Sequence, residues 1–369
     1  IRRRAMGGQN VPSDNEKAMN CAVITKAKAM YGKRFTNADY LRLSACRTVE
    51  ECAVLLKSHP AYEHAFAGAD LRGIRRSRIE MLLKREYCLE FDRLIKGLSE
   101  KDSELTRKFI GTYELDFIMW ALRNAGSDFH EKASYALLYE PLIRKYSNTD
   151  FDMLINAQDL RQIGRALRGS YKTTVEKAAT GGKPDYLFVE NEMWKSYYLE
   201  LSQHIKKHFK KDDIETLFGC SIDLHNIMRI FRLRVYFDYK ADEIIPFIIR
   251  PSYRLTDSMI SELCSSNGIK EFMSLLKNTP YRRLAAADSG TSLETLSMEF
   301  LSDKAGKVLH FSKSAPAVIY AYMIYKNYET DKIKIIIESI RYNLNREMID
   351  SYVGTKAKAN QSYRSGREI

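Results

Sequence analysis

The sequence lacks an apolar run long enough to cross a bilayer. Its longest uncharged candidate, Ala315 to Tyr325, covers only about half of the roughly 20 residues that a spanning helix needs. A secretory signal is also missing, because Arg2, Arg3 and Arg4 run into the polar stretch Gly7 to Lys17 rather than an apolar core. The six cysteines show no CxxC and no recurrent spacing. That argues against a disulfide framework and fits buried thiols in a reducing compartment. Catalytic signatures are absent as well. There is no GxSxG, no HExxH and no GxGxxG, and Gly181-Gly182-Lys183 is followed by Pro184, without the hydroxyl a phosphate loop needs, so it reads as a linker.

Positive charge is plentiful but misplaced for a duplex binder. Of the net +12, residues 1–35 hold +6 and residues 354–369 hold +3, which leaves +3 for the body between them. A nucleic-acid protein is expected to carry its basic stripe on the folded part. The ends read as solubilising tails.

Apolar residues recur at spacings of three and four, so the chain reads as all-α. Above that period lies a longer one. Lys33 to Leu43 (KRFTNADYLRL) resembles Arg144 to Leu154 (RKYSNTDFDML), and Tyr253, Thr256 and Asp257 repeat Tyr146, Thr149 and Asp150. Thr36 with Asp39, and Ser147 with Asp150, have capping-box spacing. In the third copy Arg254 displaces the hydroxyl, so Thr256 or Asp257 has to cap. An aromatic precedes each helix start: Phe35, Tyr146 or Tyr253.

A second segment follows about twenty residues on. Leu55 to Pro60 matches Leu275 to Pro280, with Ala166 to Gly169 as the middle copy, and a tyrosine stands nearby each time: Tyr62, Tyr281 and Tyr171. A third closes each unit. Glu114 to Arg123 aligns with Asp223 to Arg232 and, more weakly, with the segment from Glu329; Leu115, Ile118, Met119 and Leu122 form one apolar helix face. Three segments in the same order predict three similar helical domains at 36–133, 134–245 and 246–353. Residues 1–35 form a basic N-terminal segment with a first helix, and 354–369 a basic C-terminal tail.

Few residues invite a chemical role. His204 and His208 stand one turn apart with Glu200 before them, but Lys206, Lys207, Lys210 and Lys211 crowd the same helix and repel a cation, so a solvated basic face is expected and no metal. Tyr320, Phe311, Tyr325 and Tyr328 fall in helical runs and are expected to pack between helices rather than stack on bases. Arg123, Arg229, Arg232 and Arg234 end the repeated helices. They suit a partner-facing surface, and equally helix C-termini and bridges between repeats. No catalytic, cofactor-binding or metal-ligating residue is assigned.

With units closing on DLHNIMRIFRLR and an end reading YAYMIYKNYETDKIKIIIESIRYNL, the sequence resembles the C subunit of bacterial and archaeal V/A-type rotary ATPases, whose eukaryotic vacuolar counterpart is the d subunit. The likeness runs from about Cys21 to Gly354; the basic ends depart from it. It implies a conical body of three helical domains with pseudo-threefold symmetry, no active site and no cofactor. It also implies a non-catalytic central-stalk component, one copy per complex. Such a protein sits peripherally on the cytoplasmic side of the membrane proteolipid (c/K) ring, receives the shaft subunits of D and F type, and couples ATP hydrolysis or synthesis to H+ or Na+ movement. A nucleic-acid-binding or scaffold helical repeat is the competing expectation.

Overall fold

Helix α17, Ala315–Arg341, is the axis on which the rest is assembled. Its first nine residues, Ala315 to Met323, are all buried, which is why the longest apolar run of the sequence is a core helix. Its second half is amphipathic, with Ile333, Ile336, Ile337 and Ile340 turned inward. The computed structural model describes residues 13–125, 140–180, 186–286, 292–344 and 349, and among them every regular element is a helix. The Gly181-Gly182-Lys183 stretch and the basic tail at 354–369 lie outside the described residues, as do the first twelve positions.

The chain begins with α1 (Asp14–Gly32), α2 (Asn37–Ser44), α3 (Val49–Ser58), α4 (Arg76–Ile95), α5 (Glu100–Lys108) and α6 (Gly111–Arg123). There follow α7 (Glu140–Tyr146), α8 (Phe151–Asn156), α9 (Leu160–Ala166), α10 (Gly169–Thr180), α11 (Tyr186–His208) and α12 (Asp213–Phe231). A π-helical turn, Arg232–Tyr236, leads to α13 (Ala241–Ile244), α14 (Asp257–Cys264), α15 (Gly268–Leu276), α16 (Leu293–Phe311) and α17. None of these helices is long and apolar enough to cross a membrane.

Local chemistry sets the helix starts, with one correction. Thr36 caps α2 with the expected capping box, and Phe35 lies against Tyr40, ring centroids 5.4 Å apart, as a hydrophobic staple. Thr256 caps α14. Ser147 does not form the expected box: Asp150 itself caps α8 through the Met153 amide. The Ser147 hydroxyl donates instead to Glu114 at 2.6 Å, a stronger, charged acceptor.

Two of the three repeated tyrosines meet the repeated acids. Buried Glu329 accepts from the Phe35 amide at 2.7 Å and from the Tyr62 hydroxyl. Glu114 accepts from the hydroxyls of Ser147 and Thr149 at 2.6 and 2.5 Å. Asp223 accepts from the amides of Tyr253, Arg254 and Leu255 at 2.8, 2.6 and 3.1 Å, and from the Tyr281 hydroxyl at 2.7 Å. Each closing helix thus holds the start of the following unit, and the last holds the first, so the connections form a cycle. The three cores follow the same logic. One joins Phe35 to Leu83 with Ile333 to Ile340 of α17, another joins α12 to α14, α15 and α16, and the largest joins α4 to α6 with α7 to α12 and the start of α17.

Aromatic packing matches expectation for three of the four residues singled out. Tyr320 lies 4.8 Å from Phe109, Tyr325 lies 4.7 Å edge-on to Tyr31, and the Tyr328 hydroxyl donates to Glu299. Phe311 is the exception. It is the last residue of α16 and is 82% exposed, because the chain leaves the helix there and no neighbouring element covers the ring.

Gly219 of α12 shows how tightly the units meet. A Cβ there would stand 2.5 Å from the Tyr253 ring. Gly219→Ala is expected to lose about 1–3 kcal/mol of stability by overpacking, despite alanine's better helix propensity. Measured by urea unfolding, the loss should shrink when Tyr253→Ser is added, whereas an unchanged loss in the double variant would place the strain elsewhere.

Candidate functional site

Three of the four arginines share one wall, built from α6, α11 and α12. Arg123 on α6 pairs with Glu190 on α11 at 2.8 Å. Arg229 on α12 donates to the Asn191 carbonyl on α11 and stands 3.1 Å from His225 Nε2. Arg232, at the end of α12, contacts one oxygen of Glu294 on α16 at 2.7 and 3.1 Å. Arg234 lies apart. It donates to the carbonyls of Ser266 and Tyr239 and to the side chains of Asp238 and Asn267, which fastens the π-turn to the α14–α15 loop.

These contacts sort the arginines by availability. The Arg123 and Arg232 pairs are well exposed on the arginine side. Such pairs contribute about 0–1 kcal/mol each, so an incoming carboxylate exchanges with them at little cost. The Arg229 side chain is half-buried and its charge is disfavoured by burial, with Glu190 compensating.

Asp116 on α6 is exposed, yet desolvation pushes its carboxyl up to about 6, with Lys84 and Arg123 opposing and Glu190 reinforcing the shift. His225 lies deeper, its ring 5.5 Å from Trp194 and 5.4 Å from Tyr198. Burial, then the Arg229 charge, hold it down to about 3.

That shift gives a pH dependence with a definite sign. The unfolded imidazole binds its proton near pH 6.5 while the folded one stays neutral to about 3. The stability tied to neutral His225 is therefore complete above about 6.5 and is lost progressively as pH falls toward 3. His225→Gln should flatten the decline of the urea midpoint between pH 7 and 4.5, and a slope identical to the parent's would contradict the assignment.

Nothing on the wall resembles a catalytic set. Among the described residues no group of three His, Cys, Asp or Glu is placed to hold a metal. The His204 and His208 rings lie 4.8 Å apart, tilted by 41°, and His204 lies 3.8 Å from Glu104 rather than sharing a ligand set with Glu200. No sequence pattern points to Glu190, Asn191, Asp116 or His225. Only the helical phase of α11 and α12 against the repeated helix α6 places them beside the arginines.

A concave feature marks the middle connection of the cycle. A cavity of about 380 Å³ lies beside Glu114 and is lined by Arg107, Lys108, Ser147, Arg168 and Tyr171. At the other two connections the tyrosine hydroxyl reaches the carboxylate.

Comparison with known proteins agrees with this picture of a helical body. A family model described as ATP synthase (C/AC39) subunit matches residues 23–352. The chain is similar to the A-type ATP synthase C subunit of Methanosarcina mazei, 24% identical over 345 residues, covering 88% of this chain and 90% of that protein. It is similar to the same-named proteins of Methanosarcina barkeri, 25% identical over 346 residues with 88% and 90% covered, and of Thermococcus kodakarensis, 21% identical over 348 residues with 90% and 89% covered.

Proposed function

Because the chain belongs to the ATP synthase (C/AC39) subunit family, we propose that it is a non-catalytic central-stalk component linking the rotating shaft to the membrane proteolipid ring. It couples ATP turnover in the head to ion movement through the membrane. The observation that carries this reading is the cycle of carboxylate connections through Glu114, Asp223 and Glu329. A part that transmits torque needs stiffness, and a chain whose third unit is fastened back onto its first cannot splay open like a linear array of repeats.

The wall of α6, α11 and α12 supports a docking role for one partner. Exchangeable arginine pairs suit a surface matched by charge rather than an active site. The three similar domains at 36–133, 134–245 and 246–353 belong to this proposal, as does a peripheral position on the cytoplasmic side of the membrane. Charge reversal at Arg123 and Arg232 is the test for the wall, since both are exposed; Arg234 is unsuitable because its bonds hold the chain to itself.

The test of the whole is biochemical. The purified chain should co-sediment with the assembled proteolipid ring and with the shaft subunits, and should show no ATPase activity alone. Nucleotide hydrolysis by the isolated chain, or failure to bind either partner, would overturn the reading. The nucleic-acid alternative predicts salt-sensitive binding to DNA or RNA that survives removal of both basic ends, and the body's small net charge argues against it.

A further inference from the structure

Two turns between long helices meet at one end of the molecule. The end of α11 carries Lys206 and Lys207, the α11–α12 turn Lys210 and Lys211, and the α16–α17 turn Lys313; all five are exposed. Lys210, Lys211 and Lys313 share a shallow hollow with Lys101 of α5 and Asn20 of α1. None of these lysines has a carboxylate partner among the described residues; Lys101 lies over the Phe209 ring at 5.1 Å. Of the nearby acids, Asp102 accepts from Asn20 and Asp212 caps α12, which leaves Asp213 of the α11–α12 turn and Glu100 and Glu104 of α5 as exposed acids.

Phe311 projects from this basic end. It is the most exposed large apolar residue described, at 82%, and it lies two positions from Lys313. The geometry points to this end as a docking face for an anionic lipid surface, with the lysines against the headgroups and Phe311 at the boundary of the acyl chains. A cluster of unpaired lysines gains about 1 kcal/mol per residue beside an anionic leaflet, and an aromatic side chain adds interfacial insertion. An acidic peptide needs a groove for its backbone, whereas this end offers two helix turns and a projecting ring. The inference stands apart from the rotor reading, because it concerns the isolated chain and lipid alone.

The experiment uses the full chain with vesicles of phosphatidylcholine, with and without about one third phosphatidylglycerol. Binding is expected only with the anionic lipid and should weaken with salt. Lys210→Gln, Lys211→Gln and Lys313→Gln together should lower it about a hundredfold, at about fivefold per lysine, and Phe311→Ser should lower it several-fold. As a control, Lys57→Gln on α3, Lys270→Gln on α15 and Lys277→Gln just after it remove the same charge elsewhere and should change it little. A Phe311→Trp variant should show blue-shifted added emission on binding. Equal losses from both triple variants would overturn the assignment, as would full binding by the first triple variant, no binding by the parent, or polyglutamate bound as tightly as the vesicles. All the substitutions are on exposed side chains, and unchanged helical circular dichroism confirms that each variant folds.

Discussion

Lys326→Met is expected to cost about 3–5 kcal/mol of stability, one of the two largest single-residue effects the fold predicts. Lys326 is buried on α17, 3.3 Å from Glu329 and 3.9 Å from Glu90, with its ammonium 4.2 Å above the Tyr62 ring. Glu90 also accepts from the Tyr322 hydroxyl at 2.7 Å. One ammonium therefore serves two buried carboxylates, and removing it takes the nearest counter-charge from both. Burial already pushes the Glu90 carboxyl upward, against the opposing effects of Lys326 and Tyr322. A carboxyl raised in the folded state binds more protons folded than unfolded, so stability falls as pH rises through its titration. The deficit of Lys326→Met should hence be larger at pH 7.5 than at pH 5, and Lys326→Met with Glu90→Gln should recover part of it. Urea midpoints at the two pH values decide this. A loss under about 1 kcal/mol, insensitive to pH, would mean that the carboxylates are hydrated and the cluster does not close the cycle.

How much of this is legible in the sequence depends on the range of the interaction. The caps by Thr36 and Thr256 involve neighbours three residues away, and a sequence pattern contains both partners. The Ser147 cap fails for the opposite reason, since Glu114, far off in sequence, is the better acceptor for its hydroxyl. The repeated positions Glu114, Asp223 and Glu329 and the repeated tyrosines Tyr62, Tyr171 and Tyr281 all stand out, but nothing local joins the two sets. The Glu329–Tyr62 bond spans 267 positions, and only the fold brings the last unit onto the first. Phe311 departs from expectation because periodicity carries no information on where a helix runs out of neighbours. For the arginines at the ends of α6 and α12 the sequence leaves two roles open. The structure gives each an intramolecular partner and separates Arg234 from the other three, which depends on the phase of α11, a helix outside the repeated segments.

Asp223→Asn and Glu114→Gln, compared side by side, test whether the connections of the cycle are equivalent. Asp223 is fully buried and receives three amides and one hydroxyl. Only a carboxylate offers acceptors to all four donors; asparagine turns an amino group toward at least one of them. Charge-assisted bonds are worth about 1.5–3 kcal/mol each and a stranded buried donor costs more, so a loss of about 3–5 kcal/mol is expected. Glu114 receives two hydroxyls on a single oxygen, hydroxyls rotate to other acceptors, and the adjoining cavity of about 380 Å³ admits water. Glu114→Gln should therefore cost at most about 1 kcal/mol in the same urea titration. Equal costs would show that the middle connection is as rigid as the one at Asp223 and that its cavity is closed to water. The expected inequality makes the junction between α6 and Tyr146–Thr149 the compliant point of an otherwise stiff cycle. Hydrogen exchange at the amides of Ser147 and Thr149 should be faster than at those of Arg254 and Leu255, which Asp223 holds directly.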